Sequence, residues 1–184
     1  MFDGEWCNDK AHGYGTYYNV NGSKYEGFWV DDLQDGEGKE TWKDGSVYEG
    51  IYMKGHKHGH GRYIWSDGSM YEGDWENNKI HGQGKYVWAD GREYIGQWIE
   101  NKMHGYGSLM WPDGRLYEGD FVNDVKEGQG TFQWPDGRIY TGQWLNGKQH
   151  GTGVLTSGKD DGVPSMGIWE KGKHIRELTK EDIE

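Results

Sequence analysis

The chain has 184 residues, enough for one domain or one array of short repeats, and combines 33 Gly, 11 Trp and 13 Tyr with only 33% hydrophobic residues, which leaves too little Leu, Ile and Val for a helical core. Its 20 basic residues against 31 acidic ones give a formal net charge of −11, so the general attraction that nucleic acid or an anionic membrane requires is missing, and no nucleic-acid partner is expected. A single cysteine, Cys7, rules out an internal disulfide framework; with no apolar run near the roughly 20 residues of a membrane span and no secretory leader at the start, the expectation is a soluble cytoplasmic protein.

In chain order, the motif aromatic-x-Gly-x-aromatic begins at Phe2, Tyr25, Tyr48, Tyr71, Tyr94, Tyr117 and Tyr140, at a constant step of 23 residues. Gly-x-Gly keeps the same step from Gly13 to Gly151, and Asp-Gly recurs from Asp44 to Asp136, each time two residues after Trp42, Trp65, Trp88, Trp111 or Trp134. Such a fixed step marks a repeat array. A 23-residue unit is too short for a strand-helix-strand crossover and fits two strands with two connections. The expected elements are an orphan strand at 2–6, regular hairpins at 13–29, 36–52, 59–75, 82–98, 105–121 and 128–144, and a degenerate hairpin at 151–169, together an array over 1–170. In the tail at 171–184, Thr179 followed by acidic residues predicts a short helix that caps the last hairpin.

The turn sequence fixes the register. In Trp111-Pro112-Asp113-Gly114, Pro presets the second turn position and Gly takes the left-handed one, so residues 112–114 form a three-residue loop. Leu109 then pairs with Tyr117 and Gly107 with Gly119, and alternation sends all the repeat-defining residues to one face. The column of Leu109 (Tyr17, Glu40, Tyr63, Tyr86, Leu109, Phe132, Leu155) is apolar or aromatic except at Glu40. The opposite face sets Lys39 against Glu49 and Arg62 against Glu72, as a wet surface should. The Gly-x-Gly pairs are expected to make the second, tight connection, shaped by hydrogen bonds from neighbouring histidines.

Large rings thus alternate with glycine on one face, and something must lie over each glycine. Neighbouring rings can do so. The same trough is the candidate partner-binding surface, built from Tyr48, Gly50, Tyr52, Trp65, Tyr71, Gly73, Trp75, Trp88, Tyr94, Gly96, Trp98, Trp111, Tyr117, Gly119 and Phe121; its partner would be a helix, an extended segment or a second copy of the chain in a homodimer. A Lys/His edge at Lys79, His81, Lys102, His104, Lys148 and His150 is a candidate for weak contact with anionic lipid when its histidines are protonated. His56-Lys57-His58-Gly59-His60 has the look of a metal cluster, but Lys57 repels a cation and His58 belongs to the repeat, so no metal is expected. Neither a catalytic site nor a cofactor is expected: no glycine-rich loop joins a strand to a helix, and no Ser or Cys stands in a nucleophile context.

The unit Tyr71-Glu72-Gly73-Asp74-Trp75, Asn78-Lys79, His81-Gly82-Gln83-Gly84, Asp90-Gly91 resembles the MORN (membrane occupation and recognition nexus) repeat, over roughly residues 2–169. The sequence departs from that pattern at Asn19, Asp35, Glu127 and Ser165. The resemblance implies an all-β fold, an elongated, twisted, single-layer antiparallel sheet of tandem hairpins. It also implies a non-enzymatic scaffold for protein–protein interaction in a cytoskeletal or axonemal assembly such as a radial spoke, with a phospholipid-binding or regulatory module as the alternative.

Overall fold

Two kinds of turn alternate along the chain and define the strands between them. The first is the expected three-residue loop: the Gly114 amide donates to the Trp111 carbonyl at 3.0 Å and the Trp111 amide to the Arg115 carbonyl at 2.9 Å. Gly114 sits at φ 89°, a left-handed conformation open to glycine at no steric cost. The second is a two-residue turn such as Asn77-Asn78, with φ of 49° and 66°, the backbone of a type I′ hairpin.

The computed structural model describes residues 1–158, 163–179 and Asp182. Among these residues the turns delimit β1 (Phe2–Cys7), β2 (Lys10–Tyr18), β3 (Lys24–Val30), β4 (Leu33–Thr41), β5 (Val47–Met53), β6 (His56–Ile64), β7 (Met70–Glu76) and β8 (Lys79–Val87). They continue as β9 (Glu93–Ile99), β10 (Lys102–Met110), β11 (Leu116–Val122), β12 (Val125–Gln133), β13 (Ile139–Leu145), β14 (Lys148–Thr156), β15 (Ser165–Glu170) and β16 (Lys173–Glu177). The strands follow chain order in one open sheet. The fold is all-β and antiparallel, built from tandem hairpins.

The residues gather in two compact units, 1–89 with 98–101, and 90–97 with those described from 102 onward. In the first, Tyr63 pairs with Tyr71 and Gly61 with Gly73. The expected cross-strand charges meet at 3.5 Å for Lys39 Nζ and Glu49, and at 3.9 Å for Arg62 Nε and Glu72. In the second, Leu109 pairs with Tyr117, Gly107 with Gly119 and Gly105 with Phe121, the register that the three-residue loop dictates.

Gly-x-Gly does not form a connection. In β11 and β12, Gly119 pairs with Gly130 and Phe121 with Lys126, so Asp120 faces the bulged segment Glu127-Gly128-Gln129. The first glycine of the pair, Gly128 at φ 69°, makes the bulge, and the second is the ladder partner of the glycine opposite. The Asp120 Oδ2 accepts the Gln129 amide at 3.0 Å and holds the bulge closed; Asp74 does the same for Gln83 at 2.9 Å. Of the expected histidine bonds to this segment, those from Nδ1 of His12, His58 and His104 are not made: each of these atoms is buried without a hydrogen-bond partner.

The tail also departs from expectation. Lys171-Gly172 adopts φ of 50° and 85°, the two-residue turn once more, which sends the chain back along β15 so that Lys173–Glu177 forms β16 instead of a helix. The Thr179 amide and hydroxyl both donate to Asp182 Oδ2, at 2.8 and 3.0 Å. The rest of the helix prediction, at 180, 181, 183 and 184, lies outside the described residues.

Candidate functional site

Each repeat tyrosine lies flat over glycine. A methyl placed on Gly130 would meet the Tyr117 ring carbons at 2.6 Å, and one on Gly119 would meet the Tyr117 hydroxyl at 2.7 Å. The ring therefore fills the room that two facing glycines leave. Its hydroxyl donates to the Asp120 carbonyl at 2.9 Å, as Tyr48 does to Ile51, Tyr71 to Asp74 and Tyr94 to Gln97 at 2.9–3.0 Å. Burial raises these phenols well above the usual tyrosine range, and that of Tyr140, which donates to Gln143 in the same way, to about 12, so the donor form persists at any physiological pH.

A second row of rings closes against the first. Trp75 Nε1 donates to the Gly61 carbonyl at 3.0 Å, Trp98 to Gly84 at 3.2 Å and Trp144 to Gly130 at 3.0 Å. Edge-to-face pairs join neighbouring repeats, with centroids 5.4 Å apart for Tyr48 and Trp75, 5.7 Å for Tyr71 and Trp98, and 5.1 Å for Tyr117 and Trp144. This geometry suits rings with negative faces and positive edges. Repeats are also tied through their turns. The Asn78 amide donates to the Lys57 carbonyl at 3.0 Å while Asn78 Oδ1 accepts the Lys57 amide at 2.8 Å.

These contacts place the predicted trough residues in two groups. Tyr48, Tyr52, Tyr71, Trp75, Tyr94, Trp98, Tyr117 and Phe121 are buried, with Gly73, Gly96 and Gly119 buried beneath them and Gly50 partly so. Trp65 and Trp88 in the first unit, and Trp111 in the second, are half-buried and are the more accessible of the predicted trough rings in their units. In the first unit they belong to a ladder, with centroids 5.2 Å apart for Trp42 and Tyr63, 4.4 Å for Tyr63 and Trp65, 5.2 Å for Trp65 and Tyr86, and 4.6 Å for Tyr86 and Trp88.

The reverse of the sheet carries a feature that the sequence reading missed. In the first unit a furrow of about 870 Å³ runs over the backbone of Gly27, Gly38, Gly50 and Gly61, walled by Tyr14, Phe28 and Ile51 and by Glu26, Lys39, Glu49, Arg62 and Glu72. Its floor is strand backbone at glycines whose missing side chains would point to the ring face, and its walls are the alternate residues of the same strands. The signal was present in Tyr14, Phe28 and Ile51, apolar residues on a face otherwise read as charged.

The Lys/His edge is partly neutralised. Lys79 Nζ lies 3.1 Å from Glu100 and His81 Nε2 3.5 Å from Glu76; Lys102 and Lys148 are exposed, and His104 and His150 are half-buried. Of the histidine cluster, His56 Nδ1 lies 2.7 Å from Asn78 Nδ2 and His60 Nδ1 3.7 Å from Asp74. No three metal-ligating side chains converge among the described residues.

The pattern of the MORN repeat matches residues 2–24, 25–47, 48–70, 71–91, 94–114, 117–137 and 140–161. The chain belongs to the MORN repeat family. No curated protein matches this MORN array. Among solved structures it is similar to the TCP domain of SAS-4 of Drosophila melanogaster in complex with a proline-rich motif of Ana2, at 11% identity over 86% of this chain and 85% of that one, with a TM-score of 0.51. The TCP10c domain of Drosophila melanogaster Sas-4 (13% identity, 91% and 99% covered, TM-score 0.40) and the CPAP G-box domain (19% identity, 91% and 99% covered, TM-score 0.42) also match. At such identities the likeness is one of fold.

Proposed function

We propose that this MORN array is a non-enzymatic scaffold that holds a partner polypeptide against its sheet, within a cytoskeletal assembly of the cytoplasm such as a ciliary or flagellar axoneme. The furrow carries this reading. It is an open surface whose apolar side chains, Tyr14, Phe28 and Ile51, are framed by carboxylates and two basic residues. It suits an extended segment with apolar side chains set between them and polar ones along a rim where Glu26, Glu49 and Glu72 already face Lys24, Lys39 and Arg62. The SAS-4 domain of like fold was solved with a proline-rich motif bound, which supports a peptide-like occupant.

A second reading, supported by the half-buried Trp ladder, places the partner or a second copy of the chain on the aromatic face. There the buried tyrosines and glycines serve as a floor and, in the first unit, Trp65 and Trp88 make the contact. The phospholipid alternative rests on the Lys/His edge, where Glu100 and Glu76 already face Lys79 and His81.

The test is capture and identification of a partner by the full chain, repeated with the pair Phe28→Ser and Ile51→Ser and separately with Trp65→Ser, with light scattering to count copies. Loss of capture with the first pair alone supports the furrow. Loss with Trp65→Ser alone supports the aromatic face. A partner retained by both variants, with the array monomeric throughout, overturns the scaffold reading on either surface.

A further inference from the structure

In two repeats the aromatic face holds one of the chain's own lysines. Lys57 Nζ lies 5.0 Å from the Trp42 ring centroid, 5.2 Å from Tyr48, 6.0 Å from Tyr52 and 5.7 Å from Tyr63. Lys126 Nζ lies 4.9 Å from Trp111, 5.0 Å from Tyr117, 4.7 Å from Phe132 and 5.1 Å from Trp144. These are cation–π distances, and a box of four rings is the geometry that holds an organic ammonium. Burial lowers the Lys126 ammonium to about 8, which leaves it charged in most molecules at neutral pH. The box therefore accepts a cation.

Both lysines occupy the same place in the repeat, the second residue of the even strand. Along the array that column runs Ala11, Gln34, Lys57, Ile80, Met103, Lys126 and Gln149. At its first two places, where the side chain is too short or uncharged, the first unit has a cavity of about 590 Å³. Phe2, Trp6, Tyr17 and Trp29 wall it, with Phe2 edge-on to Trp6 at 5.0 Å and to Trp29 at 5.3 Å. Trp6 is 60% and Tyr17 39% exposed, so the mouth opens to solvent.

The two departures from the repeat noted in the sequence meet here. Asn19 stands where later repeats have the Trp that covers Lys57 or Lys126, and Glu40 stands where they have Tyr63 or Phe132; both line the cavity. Glu40 Oε2 accepts the Tyr52 hydroxyl at 2.9 Å, and its other oxygen takes no hydrogen bond among the described residues. Asp32 adds a second carboxylate, one oxygen of which accepts the Ala11 amide at 2.8 Å. Glu40 lies near enough for its charge to act on Lys57, whose ammonium lies within its own ring box. A lost internal ammonium is thus matched by a gained carboxylate, an open lid and an empty volume.

We propose that this cavity binds the side chain of a lysine presented by a partner polypeptide, with Glu40 as counter-ion and the rings of Phe2, Tyr17 and Trp29 around its ammonium. The chain's own Lys57 and Lys126 are the template for that occupant, and a net charge of −11 favours a basic partner. The proposal rests on the reading of the array as a holder of a partner polypeptide, but the site uses neither the furrow nor the Trp ladder, so its failure leaves those two surfaces standing.

The experiment titrates the full chain with acetyl-Gly-Gly-Lys-Gly-Gly-amide and with the same peptide carrying norleucine, which has the stem without the charge. The readout is the indole N–H resonances of Trp6 and Trp29. The lysine peptide should give a saturable shift, and the norleucine peptide binding weaker by about tenfold or more, the loss of the cation–π and carboxylate attraction. Glu40→Gln should weaken the lysine peptide alone. Gln34→Lys, which supplies an internal ammonium in the manner of Lys57, should abolish the shift with an unchanged circular dichroism spectrum. No saturable shift, equal response to both peptides, or full binding by both variants would overturn the proposal.

Discussion

Gly130→Ala isolates the packing on which the array depends. Gly130 lies in ordinary extended backbone, where alanine is intrinsically favoured by about 0.4–1 kcal/mol through the unfolded chain. The structure reverses that sign, because the new methyl would lie 2.6 Å from the Tyr117 ring carbons and the fully buried ring has no other room. Displacing it forfeits about 1.5–3 kcal/mol of burial and about 1 kcal/mol for the hydroxyl bond to the Asp120 carbonyl. It also weakens edge contacts with Phe121 and Trp144, both at 5.1 Å, worth roughly 0.5–1.5 kcal/mol each. The expected net loss is about 3–5 kcal/mol, read as a fall in the urea midpoint on the order of 1.5–2.5 M for a slope near 2 kcal/mol per M. Tyr117→Phe, which keeps the ring and loses the bond, should cost only about 1 kcal/mol. If Gly130→Ala is as stable as the parent by urea titration of tryptophan fluorescence, the ring does not occupy the glycine's room and the packing argument fails.

Gly114 is the complementary case: nothing lies within 4 Å of an added methyl but φ is 89°, so Gly114→Ala should cost about 1–2 kcal/mol from backbone conformation alone, measured by the same titration. Trp75→Phe removes the donor to the Gly61 carbonyl and should cost about 1–3 kcal/mol in thermal or urea unfolding. Lys126 is lowered by burial to about 8, below the roughly 10.4 of an unfolded lysine, so between those values the unfolded chain binds more protons and stability rises with pH. Lys57, shifted the same way by burial, adds to this. The gain between pH 8 and 10 should shrink in Lys126→Met, and identical pH profiles would refute it. A chelator should leave the melting temperature unchanged, since His56, His58 and His60 turn to separate surroundings; a fall would reveal a structural metal.

The three-residue loop was legible because Pro112, Asp113 and Gly114 each have one physical reason to be there, and the period of two then carried the register to every aromatic column. The charged pairs Lys39 with Glu49 and Arg62 with Glu72 follow from the same register. The second connection was misplaced because Gly-x-Gly is the louder signal, whereas the true turns vary from Asn77-Asn78 to Lys54-Gly55 and share only their left-handed backbone. A bulge with Gly128 at its apex is invisible to a strict alternation of two. The tail was misread for a related reason: Thr179 and its acids look like a helix start, and Lys171-Gly172 does not announce a turn by composition. The furrow escaped notice because its face was read from its charged pairs, while Tyr14, Phe28 and Ile51 stand far apart in sequence and come together only through the strand register.

The most direct test of the account is the placement of the ring over the glycines in solution. If Tyr117 lies across Gly119 and Gly130, one Hα of each glycine should be displaced strongly upfield by the ring current and show nuclear Overhauser contacts to the Tyr117 ring protons. Glycine Hα resonances at random-coil positions, with the Tyr117 ring contacting Glu118 or Asp120 side chains on the opposite face instead, would contradict it.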